Sequence, residues 1–421
     1  PILFYNSPEF IESFFALVKI GAIVVPLNFG LAGREIAYQV NNSDSVGLIY
    51  SGEFSQLVNS IRPQLSQVKT FICDEERSMP DVINYEELIA AQSPQEPSVE
   101  VGAHDGCDIL YTSGTTGPPK GAYRSHQNVF LTAFSSAACL RFEIGAVVLG
   151  LPPFFHVVGW DDLALATFLV GGTIVVVKTT PNVGNTVGPQ NERVSQVLLA
   201  PSMSADIFSL PNIGEYDFGS VRVYCTGGAP MPPPLKKQII ERLPQAEFID
   251  SAGAIEVPWI SILPPKKAAM KDNCQGVPTP LAKVRIVDDE GREVPEGEIG
   301  EVVVQGPMCV REYYRDPEKT AEAIRGGWFH TSDMARLDGE RDICIVGRKE
   351  DRIVSGGKSI FSSEVENVVR THPKVAEVAV IGLPHERRGN QVTAVVVLKP
   401  EEEMTERELI GLCRENLADY K

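Results

Sequence analysis

The stretch from Tyr111 to Ala122, YTSGTTGPPKGA, sets small hydroxyl residues, three glycines and two prolines around one lysine, Lys120. Glycines let a backbone approach a ligand and turn its N–H groups inward, while hydroxyls and a lysine add donors and positive charge. The stretch therefore predicts a loop that wraps phosphate oxygens. It is not a Walker A loop, because Lys120 follows Pro119 and the GxxxxGK[ST] spacing fails. The alternative is an exposed Gly/Pro turn with incidental hydroxyls.

Apolar runs and helical stretches alternate along the first two thirds of the chain. Ser7 as N-cap, Pro8 at the first helical position and Gly21 beyond the end predict a helix early in the chain. Short β-branched runs predict strands: ILFY, IVVPL, SVGLIY, TFIC, TIVVVK, VSQVLLAP and VRVYCTGG. This alternation indicates an α/β fold with mainly parallel sheets.

The pattern changes after Pro280. The run AKVRIVDDEGREVPEGEIGEVVVQG reads as strand, tight turn and strand, which predicts a small antiparallel, β-barrel-like piece. A charged break at 348–351 is followed by one helix and two strands. We therefore predict a large N-terminal domain over 1–347, a hinge at 348–351 and a small α+β domain over 352–421. That domain is expected to be incomplete, since the chain stops inside a helix-like pattern.

Composition limits the class of partner and the cellular location. The 421 residues carry a net charge of −17, with a pI near 4.9, which argues against nucleic acid and anionic membranes as partners. An anionic substrate would need a local positive field. Eight scattered cysteines without a CxxC pair predict buried small side chains in a reducing compartment, and they make zinc improbable. No signal peptide or membrane span is predicted, so a cytoplasmic protein is expected.

Seven further segments occur in register with the lysine loop: LPPFFHVVGW, YCTGGAPM, SAGAIEV, GEIGEVVVQGP, GGWFHTSDMARLD, IVGRKEDRIVSGGKSIFSSEVE and VAEVAVIGLPHERRG. Together they resemble the adenylate-forming superfamily, which includes acyl-CoA synthetases, firefly luciferase and the adenylation domains of peptide synthetases. The resemblance covers nearly the whole chain. It implies that an acyl-adenylate is made from a carboxylate and Mg-ATP and then passed to a thiol, with ATP, Mg²⁺ and CoA as cofactors.

The resemblance also implies roles for single residues. Lys120 and Glu256 are the implied catalytic residues, and Glu256 is also the implied Mg²⁺ ligand. The implied triphosphate ligands are Thr112, Ser113, Gly114, Thr115, Thr116 and Lys120. The implied adenylate-binding residues are Gly228, Ala229, Pro230, Gly253, Asp333 and Arg348. Outside the motif context, Glu256 would be a surface residue, Asp333 a turn residue and Arg348 a linker charge.

The implied acyl pocket comprises His156, Val157, Trp160, Gly227 and Ala254. His156 stands where amino-acid-activating relatives carry an aspartate, so an α-amino acid is disfavoured. Trp160 could instead belong to the core. Glu350 matches the hinge residue. Gly356 and Gly357 match the loop that approaches CoA, although a simple Gly turn is as good an interpretation. The adenylation lysine of the family lies beyond LADYK, so Lys421 is not its equivalent.

The chain departs from the family pattern at three positions. Ala252 stands in place of an aromatic residue, Ile255 in place of a threonine and Ser332 in place of a glycine. The leading hypothesis is an acyl-CoA synthetase for an apolar carboxylic acid, with a fatty acid favoured over an aryl acid. The alternatives are an acyl-AMP ligase without the CoA step, a luciferase-type monooxygenase, and a degenerate, non-catalytic binding relative. A homodimer is left open.

Overall fold

The computed structural model describes residues 1–75, 81–112, 118–178 and 192–421. The chain opens with a parallel four-stranded sheet in the order β1-β2-β3-β4. Its elements are β1 (Ile2–Leu3), α1 (Pro8–Lys19), α2 (Gly33–Asn42), β2 (Gly47–Tyr50), α3 (Ser55–Ile61), β3 (Thr70–Cys73), β4 (Ile83–Asn84) and α4 (Tyr85–Ala90). Ser7 caps α1 by accepting a hydrogen bond from the Phe10 N–H, as the sequence predicts. The IVVPL run forms only isolated bridges, through Val24 and Pro26.

An antiparallel hairpin then carries the lysine loop. It consists of β5 (Gly106–Thr112) and β6 (Lys120–Ser125) and is followed by α5 (His126–Cys139). Thr112 pairs with Lys120 in the ladder, so the two residues face each other where the strands end. Ser113, Gly114, Thr115 and Thr116 lie outside the described residues. The hairpin therefore fixes both ends of the predicted phosphate loop.

The largest sheet follows the hairpin, in the order β13-β12-β11-β10-β9-β7-β8. Its strands are β7 (Val147–Gly150), β8 (Thr173–Val176), β9 (Gln196–Leu199), β10 (Val223–Gly227), β11 (Glu247–Ala252), β12 (Ser261–Leu263) and β13 (Val277–Pro278). All pairs from β8 to β11 are parallel, and β12 and β13 are antiparallel. The helices are a π-helix (Val158–Leu165), α6 (Ala166–Leu169), α7 (Pro201–Phe208), α8 (Pro233–Arg242) and α9 (Pro265–Ala268).

An antiparallel sheet completes the large domain. It consists of β14 (Lys283–Val287), β15 (Gly300–Gln305), β17 (Ile324–Arg325), β18 (Trp328–Leu337) and β19 (Ile343–Arg348). The short strand β16 (Glu312–Tyr313) lies between β15 and β17 in the sequence but pairs with β6 in the hairpin sheet, and α10 (Pro317–Ala323) follows it. The prediction of a barrel-like piece is wrong, because β14 and β17 are open edges and the described strands form no closed barrel.

The chain ends in a small α+β unit, as the sequence predicts. It contains β20 (Arg352–Ser355), β21 (Lys358–Phe361), α11 (Ser362–Arg370), β22 (Val375–His385), β23 (Gly389–Leu398) and α12 (Glu406–Asn416). Its own apolar cluster includes Ile360, Val365 and Val369. In the described part of the chain, no helix has the length and apolar character needed to cross a membrane.

One pair of cysteines departs from the sequence prediction. Cys274 and Cys344 form a disulfide that joins residues 70 apart in sequence, whereas the scattered cysteines predicted mostly buried small side chains in a reducing compartment. Four of the other six, Cys73, Cys107, Cys139 and Cys225, are buried, as predicted. The disulfide ties the segment before β13 to β19, the strand that leads into the predicted hinge.

Candidate active site

The base of the lysine loop opens onto a cleft of about 670 Å³. Thr112 and Lys120, which face each other at the end of the β5–β6 hairpin, both line this cleft. The Nζ atom of Lys120 lies 4.7 Å from the centre of the Tyr313 ring. A cation over an aromatic face is stabilised by the ring quadrupole, so Tyr313 holds the lysine side chain at the cleft wall.

A tight turn after β11 presents Glu256 to the same cleft. The turn begins at Gly253, where a Cβ atom would lie 1.9 Å from the carbonyl oxygen of Pro258, so no larger residue fits without backbone movement. Ala254 and Val257 then exchange two backbone hydrogen bonds of 3.1 Å each. This closes the turn and leaves the side chain of Glu256 at the cleft surface.

Tyr313 connects the two predicted catalytic residues. Its hydroxyl donates a 2.7 Å hydrogen bond to Oε1 of Glu256, while its ring lies under Lys120. Burial and the Glu256 carboxylate raise the pKa of the Tyr313 hydroxyl above its usual range. Tyr313 reaches this position because β16 pairs with β6, across nearly two hundred residues of sequence. The sequence interpretation missed it, and the only signal was the aromatic pair in REYY.

The carboxylate of Glu256 suits a hard cation. Oε2 accepts no hydrogen bond from any residue that the structure describes, while Oε1 is oriented by Tyr313. Mg²⁺ is commonly held by one or two carboxylates together with substrate phosphates. The donor set at Glu256, next to the base of a phosphate-type loop, therefore fits a magnesium ion bound jointly with a nucleotide triphosphate.

Asp333 and Arg348 form an ion pair at the end of the antiparallel sheet. The Arg348 Nε atom lies 2.8 Å from Oδ1 of Asp333, and the same guanidinium donates to the carbonyl oxygen of Thr331 at 3.0 Å. Burial is the main cause that raises the pKa of Asp333 to about 6; Arg348 opposes the rise, and Glu350, Glu256 and Glu301 add to it. The carboxylate is therefore ionised at neutral pH and able to accept hydrogen bonds.

A second cleft of about 1270 Å³ adjoins the first. All six predicted adenylate-binding residues line it: Gly228, Ala229, Pro230, Gly253, Asp333 and Arg348. Gly228, Gly253 and Arg348 border both clefts, so the two spaces share a boundary. Ala252, which stands where the family has an aromatic residue, also lines the second cleft. The structure thus brings Thr112 and Lys120, the described members of the predicted phosphate site, and the predicted nucleoside residues to neighbouring spaces.

His156 lines the first cleft in a defined tautomer. The Val158 N–H donates to Nδ1 of His156 at 3.2 Å, so the neutral ring carries its proton on Nε2. Burial, and to a lesser degree the positive charge of Arg124, lower the pKa of His156. The ring is therefore a neutral donor. Val157, Gly227 and Ala254 line the same cleft.

Trp160 does not line the cleft, which corrects its placement in the acyl pocket. It is only 2% exposed and packs against Phe10, Phe14 and Phe154, with ring centres 5.1, 4.5 and 5.8 Å away. The helix turns it away from the cleft and into the core. Trp259, which the sequence interpretation did not consider, lines the cleft in its place.

A buried ion network lies behind the cleft. Arg124 on β6 donates to Oδ1 of Asp108 on β5 at 2.8 Å and also contacts Asp161 on the π-helix. All three side chains are fully buried. Burial raises the pKa of Asp161 to about 6, while Arg124 opposes that rise. Since removing one member of a buried ion pair costs about 3–5 kcal/mol, the network fixes the π-helix against the hairpin.

The remaining predicted residues lie at or beyond the rim of the first cleft. Glu350 lines it. Gly356 and Gly357 form the turn between β20 and β21, with φ angles of +57° and +78°, and neither lines a described cleft. Lys421 forms an ion pair with Glu364 at 2.7 Å. The turn glycines and their proposed CoA role therefore stay a prediction.

Two family models match the chain. The AMP-binding enzyme model matches residues 2–314, and the AMP-binding enzyme C-terminal domain model matches residues 364–421. A feruloyl-CoA synthase from an Amycolatopsis species is 34% identical over 418 residues, which cover 99% of this chain and 82% of that protein. A long-chain-fatty-acid–CoA ligase of Mycobacterium tuberculosis is 31% identical over 427 residues, covering 100% of this chain and 82% of the relative.

Solved structures agree with these matches. An anthranilate CoA ligase in complex with anthranoyl-AMP superposes with a TM-score of 0.90 at 27% identity, covering 100% of this chain and 81% of that one. An o-succinylbenzoate CoA synthetase from Bacillus subtilis, bound to its acyl-adenylate, gives 0.85 at 28% identity, covering 100% and 82%. CoA ligases of this family use ATP, Mg²⁺ and CoA and form an acyl-AMP before the thioester. The chain therefore belongs to the AMP-binding enzyme family of the adenylate-forming superfamily and is an AMP-forming acyl-CoA ligase.

Proposed function

We propose that the first cleft holds the carboxylate of an organic acid beside the triphosphate of ATP, and that the second cleft holds the nucleoside. The observation that carries the proposal is the placement of Lys120 and Glu256 on one cleft, joined through Tyr313. In the first half-reaction, an oxygen of the acid attacks the α-phosphorus of ATP. The bond from that phosphorus to the bridging oxygen breaks, and pyrophosphate leaves. The sulfur of CoA then attacks the acyl carbon, the bond from that carbon to the phosphate oxygen of AMP breaks, and AMP and the thiol proton are released.

Electrostatics and positioning supply most of the catalysis, because both reactants are anions. The protein as a whole carries a net charge of −17 and repels them. Lys120 provides the local opposite charge, and a magnesium ion held by Glu256 would neutralise phosphate oxygens. His156 donates from Nε2 to the acid without adding a charge. Oriented donors of this kind stabilise the developing charge on the transferred group.

The ion pair at Asp333 and Arg348 is proposed to receive the ribose. An ionised Asp333 accepts hydrogen bonds from the ribose hydroxyls, while Arg348 holds the carboxylate in place and reaches the phosphate end. Both residues border the second cleft, with Gly228, Ala229 and Pro230 beside them. For the second half-reaction, Glu350 is proposed as the hinge residue and the turn at Gly356 and Gly357 as the part that meets CoA.

The acid is proposed to be apolar next to its carboxylate, because Val157, Gly227 and Ala254 form that part of the cleft. Relatives of similar identity are named for feruloyl, indoleacetate and long-chain fatty acyl substrates. The preference for a fatty acid therefore stays a prediction. A homodimer also stays a prediction, as does the domain division at 348–351.

The test measures pyrophosphate release by the full-length protein with ATP, Mg²⁺ and a panel of acids, and then thioester formation after CoA is added. Lys120→Ala should lower the rate about 100-fold or more, because one preorganised charge or donor contributes about 3–4 kcal/mol. Lys178→Ala is the matched control, since Lys178 also lies over a tyrosine ring, 5.1 Å from the centre of Tyr5, but pairs with Glu53 outside both clefts. Equal losses in both variants would contradict the role of Lys120.

The alternatives give different results in the same assay. Adenylate without thioester would identify an acyl-AMP ligase. ATP binding without turnover would favour the degenerate binding protein, whose motivation is Ala252 and Ile255 at the cleft borders. In that case, restoring an aromatic residue at 252 and a threonine at 255 should not raise turnover.

A further inference from the structure

A carboxyl group lies at the inner wall of the first cleft, and the roles proposed above do not use it. Asp162 is on the π-helix, is only 4% exposed, and lines the cleft with His156, Val158 and Trp259. Buried acidic side chains are rare without a partner that satisfies them. The surroundings of Asp162 therefore need an explanation.

Only one of the two carboxyl oxygens of Asp162 has a hydrogen-bond partner among the described residues. The indole N–H of Trp259 donates to Oδ1 of Asp162 at 2.8 Å. Oδ2 accepts no hydrogen bond from any residue that the structure describes. It is also not completely enclosed by protein atoms. This second oxygen therefore keeps access to the cleft. Arg124, whose charge acts on Asp162, forms its ion pairs with Asp108 and Asp161 instead.

The chemistry of Asp162 selects one kind of partner. Burial, and then the neighbouring carboxylate of Asp161, raise the pKa of Asp162 well above its usual range, which favours the neutral acid. A neutral carboxyl donates from Oδ2, whereas an ionised one accepts there. A hydroxyl group suits both states because it is donor and acceptor together. A substrate with an alkyl end would leave Oδ2 without a hydrogen bond, and a buried polar atom without a partner costs free energy of binding.

We propose that Asp162 is a specificity-determining residue that receives a hydroxyl group at the far end of the acid substrate. The inference rests on the proposed function, since it assumes that the acid carboxylate lies at His156. His156 lies two positions before the π-helix begins and Asp162 lies within that helix, so the two side chains reach the first cleft from different points of the chain. The substrate class is therefore a hydroxyaryl or hydroxyalkyl carboxylic acid whose hydroxyl lies several bonds from the carboxylate. This departs from the sequence-based preference for a plain fatty acid.

The experiment compares acids that differ only in the hydroxyl group: 4-hydroxycinnamate with cinnamate, and 6-hydroxyhexanoate with hexanoate. For each pair, kcat/KM for pyrophosphate release and for CoA thioester formation is measured. In at least one pair, the wild-type protein should show a kcat/KM at least about tenfold higher for the hydroxylated acid. The unsubstituted acid leaves Oδ2 of Asp162 without a hydrogen bond. Asp162→Leu should bring that ratio to about one by raising kcat/KM for the unsubstituted acid.

Two further variants separate specificity from folding. Asp162→Asn should keep most of the hydroxyl preference, since an amide both donates and accepts. Ser136→Ala removes a 2.8 Å hydrogen bond from the Ser136 hydroxyl to the backbone oxygen of Asp162 and leaves the carboxyl group intact. The ratio should therefore not change in Ser136→Ala, even if the protein becomes less stable.

The outcomes distinguish this inference from the proposed function. If no acid gives an ATP-dependent thioester, the proposed function fails. If unsubstituted acids react as well as their hydroxylated partners, the function stands and the role of Asp162 is overturned. A ratio that survives in Asp162→Leu also overturns it. Should Asp162→Leu not fold, the wild-type ratios decide, and values near one in both pairs refute the proposal.

Discussion

Tyr313→Phe is the most informative single substitution, because it removes one oxygen from the centre of the site. The phenol donates a 2.7 Å hydrogen bond to Oε1 of Glu256. The phenylalanine ring still fits under Lys120, whose Nζ atom is 4.7 Å from the tyrosine ring centre. The change therefore isolates the orientation of the Glu256 carboxylate from the placement of the lysine.

The expected effect follows from the type of hydrogen bond. Hydrogen bonds to charged groups contribute about 1.5–3 kcal/mol. Glu256 lies at a cleft surface that water enters, so the lower end applies, and about 1.4 kcal/mol corresponds to a factor of ten. We expect the Mg²⁺ concentration for half-maximal pyrophosphate release to rise about tenfold in Tyr313→Phe, with a smaller change in KM for the acid.

The neighbouring residue supplies the control. The hydroxyl of Tyr314 donates to Oδ2 of Asp44 at 3.0 Å, and Tyr314 does not line either described cleft. Tyr314→Phe therefore removes the same atom and the same type of bond one residue away. Its Mg²⁺ requirement should equal that of the wild-type protein. An unchanged Mg²⁺ requirement in Tyr313→Phe would refute the idea that the phenol orients a metal-binding carboxylate.

Four further outcomes are expected. Binding of ATP, followed by calorimetry across pH 5 to 8, should weaken as the pH falls through about 6, because a raised pKa leaves Asp333 protonated below that value; constant affinity would contradict its role as acceptor. A thiol reagent should detect six thiols in the chain under denaturing, non-reducing conditions and eight after reduction. Reduction of the Cys274–Cys344 bridge should also lower the melting temperature, since a disulfide that closes a loop of this length stabilises a protein by up to about 4 kcal/mol. Gly253→Ala should abolish adenylate formation, measured as pyrophosphate release, while the protein stays folded in a thermal melt. A fully active variant would show that the turn tolerates a Cβ atom. Trp160→Ala should destabilise the protein by about 3–5 kcal/mol, measured by urea unfolding, with little change in the ranking of acid substrates.

Local sequence signals predicted the elements that depend on neighbouring residues. The first helix begins where Ser7 and Pro8 require it, and the strands β9 and β10 lie within the runs VSQVLLAP and VRVYCTGG. The IVVPL run has the composition of a strand but forms only isolated bridges. Pro26 has no N–H for a ladder, which limits the pairing that this run can make.

Features that depend on distant residues could not be predicted. Tyr313 reaches the site only through the pairing of β16 with β6, and no local pattern encodes that pairing. Both Trp160 and Trp259 follow apolar segments, and only the packed fold shows that the second one borders the cleft. The bridge between Cys274 and Cys344 likewise joins the segment before β13 to strand β19, which are 70 residues apart in sequence.

One departure from the family pattern has a backbone explanation. Ser332, which stands where a glycine is usual, has a φ angle of +61°. This left-handed region is unfavourable for a residue with a Cβ atom and free for glycine. The resemblance located the position, but only the backbone angle explains why glycine is usual there.

The buried guanidinium of Arg124 has a consequence for how this enzyme can diversify. One side chain links the stem of the phosphate-type loop to the π-helix, which follows His156 and carries Asp162. In the proposed arrangement, the distance between the attacking oxygen of the acid and the α-phosphorus is therefore set by the protein scaffold and not by the acid that binds. Evolution can reshape the far wall of the acid-binding space while the reacting atoms keep their spacing, and a change at Arg124 would alter the reaction of every acid at once.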